Sequence, residues 1–479
     1  MLLRLTILAS LTAMLGWAGT AVPALAGTDD PRHLMPTERP RVTNGPACGD
    51  SAPAGPLTLP DLVDLALCRN PATAVAWASV RSAAAGVGIA RAAELPTLSA
   101  NIGPTLSRTD YFRNQSVLIA PGQEFFASGS STDLGSTANL ALDWLIFDFG
   151  GRRARIDAAR ANQAAALASF ADTAQTVALN TVTAYNSVNA NRASVTAAEA
   201  SVAFAKQSFD VARGREVAGV ATPSDRLQAQ SSLSQAELTL VQAQGNLRTS
   251  DGQLSTTVGL PPSTGLDLAP PPPLGSSDLL KTDVDTLIRD AEKLRPDILT
   301  QRAQVDVAAA NVRAARSDLR PTVGASAQNG VSYAASDTDR NTASVGLTLS
   351  IPLFNGYART YQVTQAKAEL DRASAVAEQT RQNAGLDVFS NYTALDTAIR
   401  SLATARDLIA SATAAADIAQ GRYKAGVGTF TDLLNAQSQL ASARQQLVQA
   451  DFNVRTAQAQ LARSIGGIGE NVDSMRTGR

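Results

Sequence analysis

The chain of 479 residues contains a single histidine, His33, set in a proline-rich leader. A histidine-based metal site or a nucleophile, histidine and acid triad therefore lacks its parts. Lysine and arginine number 41 against 42 aspartates and glutamates, a formal charge of −1, so no basic stripe offers itself to nucleic acid. The acidic residues do not cluster, and no nucleophile elbow or paired-carboxylate signature occurs. No cofactor, metal or enzymatic activity is expected. Long apolar runs are scarce too: beyond the N-terminus no stretch of 18 apolar residues appears, which excludes a spanning helix. A barrel stays open, because spanning strands need only about 9–11 alternating residues.

What is present begins with a secretory signal over residues 1–26: Arg4, an apolar run, and Ala24-Leu25-Ala26 as a small-residue cleavage site before Gly27. The mature chain is expected to leave the cytoplasm. The two cysteines, Cys48 and Cys68, lie in the exported part, where an oxidising compartment favours a bridge over two free thiols. Neither directly follows the cleavage site, so a lipid anchor has no attachment point.

The chain repeats itself. "RGREVAGVATPSDRLQAQSSL" from Arg213 returns as "QGRYKAGVGTFTDLLNAQSQL" from Gln420, an offset of 207 that carries Gly214 onto Gly421, Gly219 onto Gly426, Asp225 onto Asp432 and Gly259 onto Gly466. Further upstream the offset is 225, matching "NPATAVAW" at Asn70 with "RPDILTQR" at Arg295. The difference of 18 residues falls in an insertion between Arg108 and Asp133, read as a loop.

The domain map is then a leader (27–56), a first repeat (57–260), a proline-rich linker (261–278), a second repeat (279–467) and a polar tail (468–479). The first repeat holds strands near 97–107 and 137–148, a long helix 152–213, a tip 214–225 and a helix 226–258. The second holds strands near 322–334 and 342–354, a helix 358–420, a tip 421–432 and a helix 433–465.

The strands announce themselves by alternation. From Ser344, Val345, Leu347, Leu349, Ile351 and Leu353 face one way and Ser344, Gly346, Thr348 and Ser350 the other. Leu140, Leu142, Trp144 and Ile146 repeat the habit in the first copy. A soluble sandwich edge would show the same alternation, but the second face is small and polar, as a water-filled lumen requires. Four strands cannot close a barrel, and a spanning sheet leaves no edge in lipid, so other copies must share it.

The helices count sevens: Leu233, Leu240, Leu247 and Leu254 in one copy, Leu440, Leu447, Val454 and Leu461 in the other, with alanines between. Arms of about 62 residues would extend roughly 90 Å. A simple structural coiled coil would show this periodicity as well.

The glycines of "GRYKAGVGT" at Gly421 are spaced as in a phosphate loop, but Val427 stands where the lysine is needed and no strand precedes. A turn fits better: Gly426 and Gly428 permit positive φ, Thr429 or Thr431 can cap the next helix, and Asp432 lies in its first turn.

Asn70-Pro71, Leu95-Pro96, Trp144-x-x-Phe147-Asp148, "PLFNG" at Pro352 and the duplicated G-x-x-x-x-G tips, in this order, resemble the TolC-like outer membrane factors of Gram-negative bacteria over roughly Leu57 to Gly467. The resemblance implies a mixed α/β membrane protein. Three protomers would give four strands each to one 12-stranded transmembrane β-barrel in outer-membrane lipid, continued across the periplasm by an α-helical coiled-coil tunnel. It implies a passive export duct for small compounds, metal ions or a secreted polypeptide. The partners implied are a periplasmic membrane-fusion adaptor and an inner-membrane transporter of RND or ABC type, and the pump rather than the duct selects the cargo.

The adaptor would meet the tips at Gly214, Gly219, Val220, Thr222, Gly421, Gly426, Val427 and Thr429. In the family a tyrosine and an arginine on the second tip hold the entrance closed against polar groups on the first, and two aspartates line it. The tyrosine falls on Tyr423, its partner on Asp225 and the first ring aspartate on Asp432; Gly428 replaces the latch arginine and Asn435 the second aspartate. A periplasmic coiled-coil adaptor or scaffold is the alternative; it accounts for the heptads but not for two strand hairpins.

Overall fold

A computed structural model describes residues 55–120, 123–273, 280, 282–334 and 339–467. The signal and nearly all of the leader, Cys48 and the tail lie outside the described residues, as does part of the linker.

Among the described residues twelve elements follow in order. They are α1 (Leu59–Arg69), α2 (Pro71–Ala92), β1 (Thr97–Ala120), β2 (Gln123–Phe147), α3 (Gly151–Val217), α4 (Pro223–Thr257), α5 (Val284–Leu294), α6 (Pro296–Ser317), β3 (Thr322–Ala334), β4 (Arg340–Ser350), α7 (Ala358–Lys424) and α8 (Phe430–Ile465). Two compact units divide them: one of described residues within 83–163 and 305–373, the other of described residues within 55–82, 164–304 and 374–467.

The first unit carries one antiparallel sheet of four strands in the order β1-β2-β3-β4. Residues opposite one another in an antiparallel ladder share a face, so the register sorts side chains. Leu98, Leu142, Ala327 and Val345 form one row, and Trp144, Ala325 and Leu347 the next row on the same face. The opposite face carries Thr97, Asp143, Ser326 and Gly346, then Asn101, Asn139, Gly330 and Thr342. A Cβ on Gly330 would lie 2.3 Å from the Asn139 amide oxygen, so glycine is what lets that amide cover the polar face. The apolar face lies open rather than on a core: Val345 is 88% and Leu347 75% exposed.

The insertion between Arg108 and Asp133 is not a loop. The β1–β2 ladder runs through it to Ala120 opposite Gln123, with a register shift between Tyr111 and Gln115. Antiparallel pairing uses backbone groups alone, so a segment without clear alternation still extends the hairpin. At the other end β4 stops at Ser350, short of the expected 354; Pro352 has no N–H to give a ladder.

Both strand-to-helix junctions run through two consecutive left-handed residues: Phe149 (φ 51°) and Gly150 (φ 92°) before α3, Gly356 (φ 63°) and Tyr357 (φ 66°) before α7. Each turns an exposed aromatic ring edge-on to the aromatic at the end of the strand segment, Phe149 on Phe147 and Tyr357 on Phe354.

In the second unit α8 buries its seam at Ala436, Leu440, Ala443, Ala450, Val454, Ala457 and Leu461, with Leu447 half-buried between them. The matching seam of α4 is only half covered at Leu233, Leu240 and Leu247, and Leu238 and Val241 beside it are exposed. Two helix breaks have the same construction. The Asn70 side-chain amide donates to the Thr257 carbonyl at 2.8 Å, and Arg295 donates to the Ser464 carbonyl at 3.3 Å. Gly259 (φ 82°) and Gly466 (φ 91°) close on the backbone of Arg69 and Leu294 respectively. Arg295 is further held by Asp297 at 2.7 Å and Asp387 at 3.2 Å.

Candidate functional site

The tips are the turns α3–α4 and α7–α8. Each long helix runs past the glycine expected to end it, α3 to Val217 and α7 to Lys424. Gly214 and Gly421 are therefore helical; glycine inside a helix costs about 1 kcal/mol against alanine but does not stop it. The reversal is made by Gly219 (φ 71°) and Gly426 (φ 75°), residues that no Cβ penalises in the left-handed region.

Gly428 is not left-handed, contrary to expectation. Its need is for space: a Cβ there would lie 3.0 Å from Arg422 Cβ and 3.3 Å from the Tyr423 nitrogen. Thr222 and Thr429 cap the returning helices, each accepting from the backbone N–H of the aspartate three residues on, Asp225 at 3.3 Å and Asp432 at 3.1 Å. Thr429 and Asp432 form a full capping box. The hydrogen bonds from the Thr429 side chain and then its backbone hold the Asp432 carboxyl below the usual carboxylate range. Asp432 and Asn435 are exposed, as are Val220 and Val427; Asp225 is half-buried. Cys68 lies on α1, and Cys48, with which a bridge is expected, lies outside the described residues.

Tyr423 is 2% exposed, in a cluster with Ala212, Ala229, Phe430 and Leu433. Its ring meets Phe430 edge-on, centroids 5.4 Å apart. Its hydroxyl makes no hydrogen bond. Asp225 acts on it through charge: burial first, then that carboxylate, raise the phenol above its ordinary range, with Arg215 opposing.

Arg215 was not singled out from sequence, and it joins the two tips. Its guanidinium carbon sits 4.7 Å from the Tyr423 ring centroid, one terminal nitrogen donates to the Tyr423 carbonyl, and the other donates to Val220 O of its own turn at 3.5 Å. Farther along the arms Gln420 donates to Gln207 at 3.0 Å and Gln437 to Ser208 at 2.6 Å. Glu216 and Arg226 pair at 2.7 Å across the first tip. No spacing rule signals contacts between residues more than 200 positions apart. Above the tips α3, α4 and α8 enclose a groove of about 1180 Å³, in which Arg444 is the one charged lining residue among serines, glutamines, asparagines and alanines, with Phe204, Leu227, Leu434 and Leu440 as its apolar part.

The family described as outer membrane efflux protein matches residues 62–260 and 287–467. Protein CyaE of Bordetella pertussis is 31% identical over 427 residues, 87% of this chain and 85% of its own. The pyoverdine export outer membrane protein OpmQ of Pseudomonas aeruginosa is 28% identical over 421 residues, 85% of each chain. Among solved structures, VceC of Vibrio cholerae superposes with a TM-score of 0.72 at 22% identity, covering 86% of this chain and 96% of its own. The CmeC channel of Campylobacter jejuni gives 0.74 at 19%, covering 88% of both.

Proposed function

The chain belongs to the outer membrane efflux protein family and is an export channel of the Gram-negative outer membrane that reaches into the periplasm, and from that premise we propose how it is assembled and gated. Three copies each contribute four strands to one closed barrel of twelve, the lipid outside and water within. The observation that carries this reading is the sheet: its apolar face is exposed, its other face is polar, and β1 and β4 are bare edges. A spanning sheet with bare edges is not viable in lipid, and closure through neighbours removes them. The aromatics at the strand-to-helix junctions, Phe147, Phe149, Phe354 and Tyr357, suit the membrane–water boundary. The half-open seam of α4 supports the same neighbours.

The paired junctions support a tandem duplication, since the offsets of 207 and 225 carry Thr257 onto Ser464, Gly259 onto Gly466 and Asn70 onto Arg295. The helices of 67 residues, about 100 Å each, form the periplasmic conduit. A periplasmic adaptor and an inner-membrane transporter engage the tips, and the tips gate the conduit. The mostly uncharged groove above them, with Asn435 in place of a second carboxylate, favours weak cation selectivity.

The gate is tested by tying the tips together. With Gln207→Cys and Gln420→Cys joined by a reducible thiol-bridging reagent, export is expected to stop and to return on reduction, while either single variant exports normally. Export unaffected by the bridge would contradict a gate here.

A further inference from the structure

We infer that Arg215 is the clamp that holds the two tips of one protomer together, and that it does from the first tip what a latch arginine would do from the second. The inference rests on the tips being a gate. The second tip is crowded against such a side chain, because a Cβ at Gly428 would stand 3.0 Å from Arg422 Cβ and 3.3 Å from the Tyr423 backbone nitrogen and would require them to give way. Tyr423 cannot latch through its hydroxyl, which makes no hydrogen bond in its buried position.

Arg215 instead reaches between the turns. It stacks on the Tyr423 ring at 4.7 Å, binds the Tyr423 carbonyl of one turn and the Val220 carbonyl of the other, and lies 3.6 Å from where a Cβ on Gly426 would stand. The planar guanidinium can stack and bond in its plane together, which an ammonium cannot. Its counterpart in the repeat, Arg422, is exposed, so within one chain the grip runs in a single direction, from the first repeat to the second. The contact is the one nearest the turns, where separating the tips would break it before the Gln207–Gln420 and Ser208–Gln437 bonds. Arg215 is thus a positioning residue: it fixes the tips rather than contacting cargo.

Single-channel recording of the purified assembly in planar bilayers tests it. Arg215→Ala is expected to raise the open probability of the resting channel by about tenfold, the size of effect a stacked, hydrogen-bonded cation supports. The melting temperature of the assembly should stay unchanged. Arg215→Lys, with its charge but without the planar fork, should open nearly as much. An unchanged resting channel in Arg215→Ala overturns the clamp, as does full closure restored by lysine, or opening that appears only together with a lower melting temperature. The bridged Gln207→Cys, Gln420→Cys pair separates the two failures. If it still blocks export while Arg215→Ala is silent, the clamp alone falls; if neither has an effect, the gate falls with it.

Discussion

Leu347→Arg is expected to remove the protein from the outer membrane almost entirely, while Thr348→Arg, one residue along, leaves it there. Leu347 shares the exposed apolar face with Trp144 and Ala325 through the β2–β3–β4 register. On the lipid side of a barrel an arginine near the bilayer midplane costs about 2–4 kcal/mol, and closure by three copies would impose it three times. Thr348 points to the face of Gly324 and Leu145, where the neighbouring rows carry Thr97, Asp143 and Ser326. A charge there meets water and alters ion preference instead, toward anions. The measurement is the amount of heat-modifiable oligomer in outer-membrane fractions, with bilayer recordings for Thr348→Arg. Equal loss for both substitutions would mean that the sheet is packed on both faces, and loss for Thr348→Arg alone would mean that the faces are assigned the wrong way round.

The second large effect is expected at the helix break. In Gly466→Ala the new Cβ would stand 2.9 Å from the Leu294 carbonyl carbon and 3.1 Å from the Arg295 nitrogen, backbone atoms with no rotamer to move. The residue also keeps φ at 91°. Left-handed strain and overpacking together cost about 2–4 kcal/mol per chain. Gly259→Ala should do the same against Arg69, whose carbonyl carbon would be 2.8 Å away. The adjacent Gly467 supplies the comparison, because its nearest contact would be 4.0 Å and its φ is not left-handed. Thermal melting of the detergent-solubilised assembly should fall clearly for Gly466→Ala and Gly259→Ala and hardly for Gly467→Ala. Identical melting of the Gly466 and Gly467 variants would refute the account of this junction.

These two sites also mark what the sequence makes legible. The alternation from Ser344 to Ser350 is a strand because one face is apolar at every second position, and it lies in β4. The insertion between Arg108 and Asp133 has no such face, so only the backbone ladder reveals it as strand. The returning helices α4 and α8 are readable from their heptads, but the ends of the long arms before them are not: Gly214 and Gly421 look like stops, yet helix continues through them because the next left-handed residue comes five positions later. The repeat points to the tips, and the cap of α8 at Thr429 with Asp432 in its first turn is legible because an N-cap is a local pattern; the choice of Thr429 over Thr431 and the matching cap at Thr222 come from the structure. The link between Arg215 and Tyr423, 208 residues apart, depends on how the two repeats pack. Neither residue's own neighbourhood encodes it.

The whole duct hangs on one chain supplying a third of a closed barrel. The direct measurement is the native mass of the assembly extracted in mild detergent from outer membranes. Three chains per assembly, converting to single chains on heating, is the predicted result; a stable single chain in the outer membrane, or a pair, would contradict it.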